Sequence, residues 1–212
     1  YFFENDGYLG GGAIPGASIL SGLDSPDKRG LALDRTQGLA SMITLQLQGY
    51  VAADKNAAVS IAPNDPNNLT SGRFKQVVYR KGAPFADPPD LSDNKVYMDE
   101  FLAMIRSRFT NNIFADTNVP TFVSLDNEPD LWFGTHAEVQ FAKSTPDEII
   151  QKTISLASAL KDVEPSVQLF GPVNYGFWGM FKFQDTWVIT NDFWFFDKYL
   201  TDLKVASDIA GR

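Results

Sequence analysis

The sequence predicts an α/β fold, a (β/α)8 TIM-barrel-type domain present in part. Three features carry that expectation. Short apolar runs that suit buried parallel strands alternate with longer segments of helical periodicity. The segments after the strands are long and aromatic while the returns from helix to strand are short, the asymmetry of a barrel whose ligand loops gather at the carboxyl ends of its strands. Only three or four strand–helix units fit in the 212 residues, where a closed barrel has eight.

The units follow in order. Residues 5–30 are rich in Gly, Ser, Asp and Pro and read as loop. A helix is expected over 34–41. Residues 42–47 form a short apolar run ending at Gly49, suited to a buried parallel strand. Residues 52–72 read as an irregular excursion, and so do 81–93 with Pro84, Pro88 and Pro89. Asp93 or Asn94 is the expected cap of a helix whose Met98, Phe101, Leu102, Ile105 and Phe109 recur at helical spacing. After Pro120, residues 121–125 form a second strand that runs directly into Asp126-Asn127-Glu128-Pro129. Thr145, Pro146 and Glu148 make the clearest helix start: an N-cap, a proline in the first helical position and the acidic partner of a capping box. Ile149, Leu156, Leu160 and Val163 mark one face of that helix, and Pro165 stops it. Residues 167–172 form a third strand. Asn191-Asp192 opens a last helix with Phe196, Tyr199, Leu200, Leu203, Ala206 and Ile209 on its apolar side.

Composition narrows the function classes. Apolar residues make up 44% and charged residues 21%, ordinary for a globular chain with a sizeable core. A net charge of −8 argues against nucleic acid and against an anionic membrane surface, and is compatible with a neutral polymer. The absence of cysteine excludes disulfides, zinc–thiolate centres and a cysteine nucleophile. No run approaches the ~18 consecutive apolar residues of a membrane span. The chain opens on Tyr1-Phe2-Phe3-Glu4, with neither a basic leader nor an initiator Met, and reads as the middle of a longer protein. Asn68-Leu69-Thr70 is either a glycosylation sequon or a chance tripeptide.

Glu128 is the candidate catalytic group. Cleavage of a glycosidic bond commonly uses two carboxyl groups, one to protonate the leaving oxygen and one to attack the sugar or activate water. Glu128 follows an apolar strand directly, so it stands at the strand's carboxyl end. Asn127 beside it is a candidate hydrogen-bond partner for a sugar hydroxyl, and Pro129 keeps Glu128 out of a right-handed helix. The bland alternative is a carboxylate that caps the next turn.

The longer string Ser124-Leu125-Asp126-Asn127-Glu128-Pro129-Asp130-Leu131-Trp132, followed by Thr135-His136, resembles the acid/base motif of glycoside hydrolase family 44. Thr44-Leu45-Gln46 leading into Gly49-Tyr50-Val51-Ala52-Ala53-Asp54-Lys55-Asn56 is similar to another segment of that family. So are Lys81-Gly82-Ala83-Pro84-Phe85, Val96-Tyr97-Met98-Asp99-Glu100-Phe101 and Phe170-Gly171-Pro172-Val173-Asn174-Tyr175-Gly176-Phe177. The resemblance runs in order from about Tyr8 to the end. It implies a (β/α)8-type catalytic domain accompanied by a β-sandwich, and a secreted endo-β-1,4-glucanase or xyloglucanase that retains anomeric configuration. It also implies that Glu128 is the acid/base. The partner nucleophile would be a second Glu on a later barrel strand, and no segment here matches that strand. Residues 1–212 are therefore expected to be part of a single catalytic domain, truncated at both ends and inactive alone. A β-glucan substrate, no required cofactor and a monomeric state are expected with it. The alternatives are another barrel glycanase, a mannanase or xylanase, and a non-catalytic polysaccharide-binding barrel.

Further candidates have paired readings. Trp132 and Tyr175 follow strand ends and either stack on sugar rings or pack their loops. Trp178, Trp187 and Trp194 are weaker platforms of the same kind. Lys55 and Asn56, after the first strand, are candidate cleft residues. His136, the sole histidine, either braces the loop behind Glu128 or tunes its proton affinity. Asp87, Asp90 and Asp93 are either ligands of a structural calcium or a solvated acidic loop.

Overall fold

The computed structural model describes residues 31–53, 61–87, 89–184, 186–187 and 194–212, with the side chains of Leu33, Thr186 and Trp187 excepted. The loop expected over 5–30, Lys55, Asn56 and the helix start expected at Asn191-Asp192 lie outside the described residues. In chain order, helix α1 (Leu31–Thr36) leads to strands β1 (Ser41–Leu45), β2 (Tyr50–Ala52), β3 (Phe74–Val78) and β4 (Lys95–Tyr97). Helix α2 (Met98–Ser107) precedes β5 (Thr121–Leu125), and α3 (Trp132–Thr135) and α4 (Pro146–Val163) precede β6 (Gln168–Phe170). Then come α5 (Gly176–Phe181), the hairpin strands β7 (Lys182–Phe183) and β8 (Thr186–Trp187), and α6 (Phe195–Ala210). Single 3-10 turns occupy Pro66–Thr70 and Pro129–Leu131.

The principal sheet is parallel, in the order β1-β5-β6. Its register sets Ile43 beside Val123 and Val123 beside Leu169, with Leu45 beside Leu125. These side chains share one core with Leu102 and Ile105 of α2, Ile149, Leu156 and Leu160 of α4, and Tyr199 of α6. Full burial of each such aliphatic side chain contributes about 1.5–3 kcal/mol. Helix α2 packs on α4, and α4 on α6. The other face of the sheet carries Met42, Phe122 and Phe170, with Met42 54% and Phe170 44% exposed. Phe122 and Phe170 meet edge to face there at 5.2 Å. The observed fold is thus α/β, a parallel sheet with helices against one face.

The strand at 121–125 and the helix start at Thr145 agree with the sequence. Thr145 Oγ1 accepts from the Glu148 amide at 3.1 Å, while the Glu148 carboxylate pairs with Lys152. Elsewhere the elements differ. Helix α1 ends at Thr36, before the positive φ of Gly38, and Ser41 already belongs to β1. A second sheet, β2-β3-β4, was not anticipated. Its centre strand alternates correctly, but one of its buried positions is Lys75, whose Nζ reaches the Leu91 carbonyl at 2.7 Å. A lysine on the inward face disguises the period of two. Because 95–97 pair with β3, helix α2 starts later than Asp93 or Asn94 would cap it. Asp93 instead accepts from the Lys95 amide, and the Asp99 amide donates to Tyr79 O. Helix α6 buries Phe195 and Tyr199, whereas Leu200 and Ile209, expected on its apolar side, are exposed.

Candidate active site

Parallel pairing puts the carboxyl ends of β1, β5 and β6 at one edge, and the residues that follow them interlock there. Asp126, directly after β5, is 1% exposed. Its amide donates to Leu45 O at 2.8 Å, and its Oδ2 accepts from the Leu47 and Gln48 amides, each at 2.7 Å. Its Oδ1 accepts from the Asn127 amide at 2.8 Å. Burial pushes the Asp126 carboxyl above its ordinary range, and these three amides oppose that shift. Tyr79 Oη donates to Leu47 O at 2.6 Å, so the loop after β1 is held from both sides.

Glu128 is half-buried and left-handed, with φ 48° and ψ 52°. A non-glycine residue pays on the order of 1 kcal/mol for that conformation and keeps it only where its surroundings enforce it. Here the Glu128 amide donates to Val173 O at 2.7 Å, in the segment after β6. The Leu131 amide donates to Glu128 O at 2.9 Å, closing the turn that Pro129 begins. Two residues on, Asp130 Oδ1 accepts from the Tyr175 amide at 2.9 Å. Gly179 of α5 lies against this carboxylate: a Cβ there would stand 2.4 Å from Asp130 Oδ2 and 2.9 Å from Asn174 Cβ. Burial raises the Asp130 carboxyl, the Tyr175 amide opposes the rise, and the charge of Glu128 adds to it.

The other sequence-stated candidates distribute as follows. Asn127 is half-buried beside Glu128, its carbonyl accepting from Trp132 Nε1 at 3.1 Å. Trp132 is 0% exposed, with Lys152 Nζ 5.7 Å from its ring centroid. It is a packing residue, which corrects the stacking alternative: an enclosed indole offers no face to a sugar. Tyr175 is 61% exposed at the same edge. Trp178 and Trp194 are exposed too, in an aromatic group with Phe177 and Phe181. The His136 amide donates to Trp132 O, and His136 O accepts from the Val139 and Gln140 amides. Its Nδ1 stands 2.8 Å from Thr135 Oγ1, which donates to Leu131 O. This is bracing geometry. Burial lowers the His136 pKa, and Asp126 partly counters the shift.

The three carboxylates of the calcium alternative have separate partners. Asp87 is bidentate to Arg108 at 2.5 and 2.6 Å, Asp90 accepts from Ser92, and Asp93 from the Lys95 amide. Each carboxylate is used separately, and among the described residues no three acidic or histidine side chains converge on a metal position.

Sequence reasoning missed three polar residues at this edge. Asp126 had a local signal, since a carboxylate immediately after a buried strand needs partners. Asp130 and Gln184 had none. Gln184 is buried, its Nε2 donating to Pro129 O at 2.7 Å and its Oε1 accepting from the Ser144 amide at 2.9 Å. Two buried amide oxygens, Gln46 Oε1 and Asn174 Oδ1, have no donor among the described residues; both follow strands of the sheet.

Residues 4–212 match the model of glycoside hydrolase family 44. Endoglucanase A of Paenibacillus lautus is 34% identical over 220 residues, covering 99% of this chain and 30% of that protein. The beta-mannanase/endoglucanase A of Caldicellulosiruptor saccharolyticus is 39% identical over 176 residues, covering 81% of this chain and 13% of that protein. Among solved structures, a Paenibacillus polymyxa xyloglucanase of family 44 with xyloglucan superimposes with a TM-score of 0.76 at 33% identity, covering 90% of this chain and 38% of that one. The family 44 endoglucanase of Clostridium thermocellum gives 0.76 at 32%, covering 99% and 40%. The chain thus spans well under half the length of each.

Proposed function

This chain belongs to glycoside hydrolase family 44, and from that premise we propose that it carries the acid/base half of a retaining endo-β-1,4-glucanase site. The observation that carries the reading is the placement of Glu128. It is a half-buried carboxylate on a strained backbone, held between the loop after β5 and the segment after β6. A backbone conformation maintained at a cost suits a group whose aim matters.

The mechanism is double displacement. Glu128 protonates the glycosidic oxygen while a second carboxylate attacks the anomeric carbon. Glu128 then takes a proton from water, which displaces the enzyme from the sugar. The second carboxylate belongs to barrel strands outside these residues, about 5 Å from Glu128 as retention requires. Two facts support a barrel completed from elsewhere: the chain spans 38–40% of the family 44 structures, and one face of its sheet presents exposed apolar side chains. On this reading the 212 residues alone do not hydrolyse substrate. Asn127 is suited to a sugar hydroxyl and the exposed Tyr175 ring to a sugar face. A polymeric substrate fits, on this reading, a protein that works outside the cell. The names of relatives favour glucan and xyloglucan; the name of the Caldicellulosiruptor relative adds mannan.

The test is Glu128→Gln in the full-length protein, assayed on carboxymethyl-cellulose, xyloglucan and galactomannan. Turnover is expected to fall by at least ~100-fold with polysaccharide binding retained, as removal of a general acid requires. Near-normal turnover would make Glu128 structural and the reading wrong. The preferred polymer follows from the same panel.

A further inference from the structure

We propose that Gln184 is a positioning residue for Glu128, fixing from one side the peptide segment that presents the proton-donating carboxyl. The proposal rests on the reading of Glu128 as the acid/base. Gln184 directly follows β7, is 5% exposed and has a positive φ of 47°. Its Nε2 donates to the Pro129 carbonyl at 2.7 Å and its Oε1 accepts from the Ser144 amide at 2.9 Å. The orientation of the amide follows from its partners, because a backbone N–H only donates and a carbonyl only accepts.

The two contacts fall at the two ends of one excursion. Residues 129–144 leave the carboxyl end of β5, carry Trp132 and His136, and return to the N-cap of α4. Gln184 closes that excursion at its base. The consequence for Glu128 is geometric. Its amide is anchored on Val173 O at 2.7 Å, its own carbonyl accepts from the Leu131 amide, and the carbonyl of the following residue, Pro129, is anchored on Gln184. Both torsions of Glu128 lie between two tethered peptide groups. Release of the second tether frees a left-handed residue to relax toward commoner conformations, and the carboxyl then loses its aim. Both anchors come from the chain after β6, Val173 before α5 and Gln184 just past β7. That stretch is itself seated on the loop by Tyr175 N–H on Asp130 and by the absence of a Cβ at Gly179.

The discriminating substitution is Gln184→Glu in the full-length protein. The new carboxyl keeps an oxygen for the Ser144 amide. Ionised, it turns an oxygen lone pair toward the Pro129 carbonyl; protonated, it donates an O–H to the same carbonyl. A buried carboxyl titrates above its usual range, so both forms are reachable within an enzyme assay. Charged and titratable groups on the joined segments are Glu128 and Asp130 beside Pro129, His136 and Glu138 within the excursion, Lys143 beside Ser144, Tyr175, and, along the sequence, Lys182 before Gln184 and Asp185 after it. All are the same in both proteins, so the ratio of variant to wild type reports the introduced group. At the alkaline end kcat is expected to fall about 10- to 100-fold with KM changed less than about twofold, the scale of a catalytic group displaced by a fraction of an ångström to an ångström. As pH falls the ratio is expected to recover. A ratio that stays near one at every pH, or a loss carried by KM, overturns the proposal. Gln184→Met, of similar size and with neither hydrogen bond, is expected to lose kcat at every pH. Wild-type kcat in that variant overturns the proposal even where Gln184→Glu does not fold. If Glu128→Gln is inactive while both Gln184 variants turn over normally, the positioning role fails alone; if Glu128→Gln turns over normally, the acid/base reading fails first.

Discussion

His136 and Glu128 show how little a residue's identity says without its neighbours. The strand-end position of Glu128 was legible because the apolar strand before it and the proline after it agree. His136 was legible as a histidine but not as a brace, which depends on Thr135, Trp132 and Asp126 around it. Its lowered pKa makes a prediction. A base whose folded-state pKa lies below its unfolded value binds fewer protons when folded, so stability is lost as pH falls below about 6.5 toward the folded value. The raised carboxyls of Asp99, Asp126 and Asp130 act in the opposite sense. The histidine's share is therefore read as a difference: His136→Asn is expected to lose less stability than wild type on acidification from pH 7 to 5, measured by urea unfolding. Equal slopes would contradict it. As the chain has one histidine, its imidazole resonance titrates without overlap and gives the folded value directly.

Between elements, Asp126 does what no strand can do alone. Its carboxylate collects the amides of Leu47 and Gln48 after β1 while its own amide reaches Leu45 O, so the ends of β1 and β5 are held by one buried side chain. Asp126→Ala leaves those amides buried without partners, at about 1–3 kcal/mol each before relaxation. A net loss of about 3 kcal/mol or more is expected from chemical denaturation, against less than about 1 kcal/mol for a surface alanine such as Asp208→Ala. A small effect would mean that water takes the amides over. The second sheet carries the same lesson about legibility. Its strands β3 and β4 were hidden because Lys75 fills an inward position and Asp93 imitates a helix cap. Capping is a local rule, and pairing of 95–97 with β3 overrode it.

At the scale of the whole molecule, the two faces of the principal sheet are unequal. One packs on α2 and α4; the other leaves Met42 and Phe170 about half exposed. Exposed contiguous apolar surface binds dyes and other chains. The 212-residue chain by itself is expected to bind an apolar fluorophore and to self-associate, and Met42→Lys with Phe170→Lys to reduce both. Sedimentation with and without the substitutions checks this; a monomer with no dye binding would mean the face is covered in another way. The sequence by itself determined the α/β alternation, strand 121–125, the start of α4 and the strand-end position of Glu128. Those features rest on period, caps and adjacency, which act within a turn or two of chain. Tertiary structure alone decided that Trp132 is enclosed, that Asp87, Asp90 and Asp93 serve separate partners, and that Asp126 and Gln184 bond to the residues on either side of Glu128. Those outcomes depend on groups up to 79 and 55 positions away, brought together by parallel pairing and core burial, and no local pattern encodes such distances.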